Sequence, residues 1–191
     1  MVDEAKLKEN ARKTEEAAKQ AFPGEEWLDA ASLKLTHEGD DFELPPGIMG
    51  IKVAKSRFTG SKDEERILVK EIRQGKILTD EGATIYLIPK LKDKNGEDIP
   101  CPDALINGVL YEFKNVTGTL KKVERRFRES REQSENVYVK IDNPNISEDD
   151  VKTEVKLILN DKKYTGGTKG NLIIHLAQTG KTSFLKIEEL K

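Results

Sequence analysis

Two β-prone runs, residues 104–106 (Ala-Leu-Ile) and 109–114 (Val-Leu-Tyr-Glu-Phe-Lys), flank the dipeptide Asn107-Gly108. No other feature of the chain constrains its fold as much. Asn-Gly tolerates φ > 0 at both positions, as a type I′ turn requires, so the two runs are expected to be antiparallel strands with little freedom of register. Alternation along the second run then sends Glu112 and Lys114 to one face and Tyr111 and Phe113 to the other.

The remaining elements are set by periodicity and punctuation. Of residues 3–21, 14 are Ala, Lys, Glu or Gln. They predict a solvated helix or linker, because only Leu7 and a few alanines could form an apolar stripe. Residues 25–60, with Pro45-Pro46-Gly47, read as irregular, with apolar patches around Trp27, Leu33, Leu35, Phe42 and residues 48–53. Ser61 and Glu64 offer a capping box, and Ile67, Leu68, Ile72, Gly75, Ile77 and Leu78 recur at helical spacing up to Gly82. Residues 83–89 predict a strand closed by Pro89, and residues 90–102 a charged loop. A basic helix over 119–134, a strand over 136–141 and a Ser147-capped helix to Leu159 come next. A flexible glycine-rich loop over 165–170 and strands over 172–176 and 183–187 complete the pattern. The expected fold is α/β or α+β, a mixed sheet flanked by helices over 61–191 preceded by an extension over 1–60.

Composition excludes several classes. With 33 Lys and Arg against 35 Asp and Glu, the net charge of −2 rules out a uniformly basic nucleic-acid coat and a polyacidic tail. A single cysteine, Cys101, rules out an internal disulfide framework and a multi-thiolate zinc site. No apolar run approaches the ~18 residues of a membrane span. The charged N-terminus predicts no secretory signal in the chain as it stands. His175 lies within an apolar strand, distant in sequence from His37, and is expected to be a packed core histidine. The charges are nevertheless unevenly placed. Lys114, Lys121, Lys122, Arg125, Arg126, Arg128 and Arg131 fall within residues 114–131, opposed only by Glu124 and Glu129. On a helix, Leu120, Val123 and Phe127 would dock one side. Lys121, Lys122, Arg125, Arg128 and Arg131 would be left as the expected contacts to a phosphate backbone.

Asp103 at the entrance of the first strand, with Glu112 and Lys114 on the second, makes an acidic pocket with one positive neighbour. Carboxylate oxygens suit a hard divalent cation. The bound ion would lower the pKa of a water and offset charge on a phosphoryl oxygen, while the lysine orients the nucleophile. Pro102-Asp103, then eight residues, then Glu112-Phe-Lys114 is also the spacing of the PD-(D/E)XK nuclease core. A Glu-x-Lys facing solvent on a half-exposed strand is the competing structural explanation.

A family resemblance adds to this. The strings Lys70-Glu-Ile-Arg-Gln-Gly-Lys-Ile-Leu-Thr-Asp-Glu-Gly82, Ile85-Tyr-Leu-Ile-Pro89, Pro102-Asp-Ala-Leu-Ile-Asn-Gly108 and Glu112-Phe-Lys114 resemble the C-terminal tRNA-nuclease domains of contact-dependent growth inhibition and related polymorphic toxins. The resemblance covers residues 64–176 and implies a nuclease centre of Glu71, Asp103, Glu112 and Lys114. Asp103, Glu112 and Glu71 would hold a divalent metal, Mg2+ with Mn2+ or Zn2+ as alternatives. Glu64, Glu65 and Glu81 lie on the same helix and stay open as substitutes for Glu71. The resemblance further implies RNA, in particular tRNA, as substrate and a cognate immunity protein as partner. The chain would be a delivered effector, the C-terminal part of a larger secreted protein, acting in the target-cell cytoplasm. Two alternatives stand beside it: a DNA endonuclease with the same signature, and a non-enzymatic phage or mobile-element module of nuclease-like fold.

Overall fold

In the computed structural model, which describes residues 3–191, helix α1 (Glu4–Ala21) starts where the Asp3 side chain accepts from the Ala5 amide at 2.9 Å. Surface ion pairs such as Lys8–Glu4 and Lys19–Glu15 line its outer side. The helix is not merely solvated, as its composition predicts, because Asn10, Thr14 and Ala18, one above another at i, i+4 and i+8, are buried. Asn10 Nδ2 donates to the Gly82 carbonyl at 3.1 Å, while Leu7 stays exposed. Two polar members hide this stripe from a hydrophobicity pattern.

The chain forms two compact units, one running to Ile99 and including Asp103–Val109, the other comprising Pro100–Pro102 and Leu110–Lys191. The first contains α1, β1 (Trp27–Asp29), β2 (Ile51–Ala54), α2 (Lys62–Thr79), β3 (Ile85–Leu87) and β4 (Ala104–Ile106). Strands β1 and β2 lie where irregular chain is expected. They are too short for alternation to show, and their backbone groups are satisfied only by neighbours distant in sequence. β1 is antiparallel to β2, β2 parallel to β3 and β3 antiparallel to β4, with Ile51 opposite Ile85 and Ile85 opposite Ile106. Strands β1 and β2 are thereby joined to β3 and β4 in one sheet, and the division between the two units falls near 99–110.

Helix α2 lies against the Ile51 and Ile85 side chains. A Cβ on Gly75, in mid-helix, would come 3.2 Å from Ile85 Cδ1, so the close approach depends on this residue. The opposite side of β3 presents Tyr86 to Trp27, ring centroids 4.9 Å apart, and Trp27 meets Phe22 at the end of α1. Ser61 is the N-cap of α2 but makes no side-chain capping bond, so the expected box with Glu64 does not form.

The second unit contains β5 (Val109–Val116) from Leu110 on, α3 (Leu120–Arg131), β6 (Val137–Ile141), α4 (Glu148–Asn160), β7 (Asn171–Leu176) and β8 (Lys181–Lys186). β5, β6 and β7 are parallel neighbours, with Lys114 opposite Val139 and Val139 opposite Ile174, and β8 closes the order antiparallel to β7. Parallel pairing needs crossovers, which α3 and α4 supply. Alternate sheet residues Val137, Val139, Ile141, Leu172 and Ile174 bury against Val123 and Phe127 of α3 and Val151, Val155 and Ile158 of α4. Ser147 caps α4 as expected, and Asp150 completes a reciprocal capping box that the sequence reading did not specify. Residues 165–170, expected to be a flexible loop, are tied down: Arg131 Nη2 donates to the Gly167 and Lys169 carbonyls at 2.9 and 2.7 Å. The fold class is the mixed α+β expected. Among the described residues no helix is long and apolar enough to cross a membrane.

Candidate functional site

Asp103 leads β4, and its carbonyl accepts from the Ile88 amide at 3.1 Å just past the end of β3. That bond draws together the two segments carrying Asp103 and Lys90. Lys90 Nζ lies 2.5 Å from Asp103 Oδ1 and 3.4 Å from Glu71 Oε1. The other oxygen of Glu71, on the buried side of α2, accepts from Nη1 of Arg57, which lies just beyond β2 in the chain. Four side chains from four separate segments thus alternate in sign: Arg57, Glu71, Lys90, Asp103.

The quartet is graded in exposure. The Arg57 side chain is 1% exposed, Glu71 10%, Asp103 12% and Lys90 25%. Burial pushes the Glu71 carboxyl up, and the like charge of Asp103 adds to this against the pull of Arg57 and Lys90. Lys90, despite its burial, is held up by Glu71 and Asp103. Nε and Nη2 of Arg57 are buried with no hydrogen-bond partner among the described residues.

Among the acidic alternatives near Glu71, Glu65 is committed elsewhere. Its carboxylate accepts from the Thr36 hydroxyl at 2.7 Å and the Thr36 amide at 2.9 Å, and lies 2.7 Å from His37 Nδ1. Burial would raise its pKa, but these donors outweigh it and hold the group at about 2. Glu71 is the α2 carboxylate that shares a partner with Asp103.

In the second unit, Glu112 and Lys114 share a side of β5, as alternation predicts, and Lys114 Nζ donates to Glu112 Oε1 at 2.6 Å. The solvent-facing explanation fails, because their side chains are 4% and 13% exposed. β5 is flanked by β6, and the Glu112 amide donates to the Asn136 carbonyl at 3.0 Å. An ion pair taken out of water is costly to maintain and so marks a functional candidate.

The basic helix is more self-contained than its composition suggests. Arg128 reaches Glu124 at 3.1 Å and Asp161 at 2.7 Å and lies over the Tyr164 ring. Arg126 pairs with Glu129 at 3.0 Å, with Arg125 3.6 Å from the same carboxylate. Arg131 is occupied by backbone carbonyls. Of the expected phosphate contacts, Lys121, Lys122 and Arg125 remain exposed. His175 is the packed histidine expected, with Nδ1 2.9 Å from Thr182 Oγ1.

Two residues of the quartet, Arg57 and Lys90, carry no sequence signal. Each lies in a connecting segment next to an apolar element, and only the tertiary pairing gives it a role. Among the described residues, no group of three or more His, Cys, Asp and Glu side chains gathers in ligating geometry. Glu71 and Asp103 are the carboxylates that the first unit brings to a common partner.

No curated protein and no solved structure matches the chain. Residues 100–179 match a family model, a stretch that includes Asp103, Glu112, Lys114 and the basic helix but not Glu71. Domains of that family are toxin effectors, the delivered C-terminal parts of larger proteins. The family that the chain matches, over residues 100–179, is the contact-dependent growth inhibition CdiA C-terminal domain.

Proposed function

We propose that this toxin domain is a metal-dependent endonuclease that hydrolyses phosphodiester bonds of RNA, with tRNA as its substrate class. The observation that carries the reading is the Glu71 and Asp103 pair: two largely buried carboxylates, from α2 and the start of β4, facing one ammonium. Like charges gathered out of water need cations beside them, which Arg57 and Lys90 supply here, and oxygen donors of this kind also fit a hard divalent ion in place of the more exposed Lys90. The PD-(D/E)XK spacing of Pro102-Asp103 and Glu112-Phe-Lys114 supports the same chemistry, as does the toxin family.

In this reading Glu71 and Asp103 hold the metal, Mg2+ or in its place Mn2+ or Zn2+, and Glu112 stands beside Lys114 in the second unit. When bound, the ion supplies a water of lowered pKa and offsets charge on a phosphoryl oxygen. Lys114 orients the attacking water, and Glu112, 2.6 Å from its Nζ, fixes the position of that ammonium. Arg57 holds the inner oxygen of Glu71 in place. Lys121, Lys122 and Arg125 meet substrate phosphates, an interaction that weakens with salt. A cognate immunity protein, its surface acidic where it meets these cations, is the partner, and the target-cell cytoplasm is where the tRNA is reached.

The test is a gel of total tRNA and, in parallel, plasmid DNA, each incubated with the protein and Mg2+ with and without EDTA. The expected result is tRNA cleavage that EDTA abolishes and that Asp103→Asn and Lys114→Ala remove without changing the circular dichroism spectrum. Plasmid cleavage with intact tRNA would assign a DNA endonuclease instead, and no cleavage of either would favour a non-enzymatic module.

A further inference from the structure

The four charges of the Arg57, Glu71, Lys90, Asp103 quartet differ in how freely they can leave. Arg57 is enclosed, and removing it would require opening the fold around its 1% exposed side chain. Lys90 is the most exposed of the four, at 25%, and it stands just beyond Pro89 at the end of β3, where the charged segment begins. Its four-carbon stem can carry the ammonium into solvent without moving a strand.

The place it occupies is specific. Nζ is 2.5 Å from Asp103 Oδ1 and 3.4 Å from Glu71 Oε1, bridging one oxygen of each carboxylate. A divalent cation using those same oxygens would bind within about 2.0–2.6 Å of them. The ammonium and the ion therefore compete for one volume and the same lone pairs, and their like charges would repel. With Lys90 in place the quartet is neutral. With Lys90 withdrawn, one negative charge is in excess, which is the condition that draws in a further cation.

We infer that Lys90 is a displaceable internal counter-ion that occupies the cation position between Glu71 and Asp103 and competes with divalent metal for it. Resting on the metal-dependent reading above, the inference assigns Lys90 as a positioning residue that keeps the acidic pair together in the metal-free protein and sets how much metal is needed to fill it. A binding-competent state that is only partly populated weakens apparent affinity by that fraction. If Lys90 is paired nine-tenths of the time, its removal tightens metal binding about tenfold.

The experiment is calorimetric titration of Mn2+ into the wild-type protein, Lys90→Met and Asp103→Asn, with the melting temperature of each measured without and with Mn2+. Lys90→Met should bind about tenfold more tightly than wild type. It should melt lower without metal, from unneutralised carboxylates, and recover more on Mn2+ addition, whereas Asp103→Asn should lose the site. Lys90→Gln, whose amide can still donate to a carboxylate, serves if Lys90→Met does not fold and should also bind Mn2+ more tightly than wild type. Loss of binding in Asp103→Asn with unchanged or weaker binding in the Lys90 variants would overturn the role of Lys90 while leaving the metal site standing. Wild-type affinity in Asp103→Asn, or no Mn2+ binding by any of the proteins, would overturn both.

Discussion

The quartet of the first unit and the α3 surface of the second are both dense in ion pairs, yet they are built in opposite ways. The Arg57–Glu71 and Lys90–Asp103 contacts join residues 14 and 13 positions apart and lie largely out of water. On α3, Arg126–Glu129 and Arg128–Glu124 are one helical turn apart, and their side chains are roughly a third or more exposed. Helical spacing forms the second kind with little further constraint, while only a completed fold forms the first. Charge density in sequence is therefore a poor guide to where charge matters. The segment richest in cations holds the weaker pairs, and two inconspicuous positions, Arg57 and Lys90, complete the buried cluster.

Substitutions should separate the two regions by magnitude. Glu71→Ala would leave the Arg57 guanidinium buried without its acceptor and should cost about 3–5 kcal/mol in denaturant unfolding. A loss under about 1 kcal/mol would mean the quartet behaves like a surface pair. Next in size, Glu65→Gln removes the charged acceptor of Thr36 and His37 and should cost about 1.5–3 kcal/mol at neutral pH.

Acid sensitivity sharpens the contrast. The folded pKa of Glu65 is about 2, against an ordinary 4.5. Its contribution to stability is therefore complete above about 4.5 and is lost as pH falls toward 2. Glu148, held at about 2 first by Lys152 and then by Lys181 and Ser183, provides the same dependence in the second unit. Acid-unfolding curves of Glu65→Gln and Glu148→Gln should each be flatter than wild type between pH 4.5 and 2, and an unchanged slope would contradict the assignment. Smaller still, Arg131→Ala should free residues 165–170 at about 1 kcal/mol, seen as faster amide exchange there. Arg126→Ala should change stability by under about 0.5 kcal/mol, since an i,i+3 surface pair contributes little.

Much of this was legible in the chain, for identifiable reasons. Asn107-Gly108 announces its turn, and the observed φ values of 50° and 85° are the left-handed pair that the dipeptide permits. The shared side of Glu112 and Lys114 is a result of alternation alone. The helices from α2 onward carry apolar periodicity. What escaped detection depends on long-range pairing: β1 and β2 are three and four residues long, and β1 gains its identity from β2 and β2 from β3. The buried stripe of α1 is mostly polar, so no hydrophobic pattern marks it. Glu71 came from a resemblance rather than from a local motif, and its selection over Glu65 rests on which neighbours each carboxylate meets.

The interleaving of the two units bears on how such a domain can be exchanged between proteins. The family match begins at residue 100, yet Asp103–Val109 belongs to the first unit, where β4 pairs with β3 at residues 85–87. A cut at the family boundary would separate β4 from its hydrogen-bonded neighbour and Asp103 from Lys90. The stretch that the family model matches is thus shorter than the stretch that must travel together. Recombination that preserves Asp103 in its paired setting has to carry residues well upstream of 100.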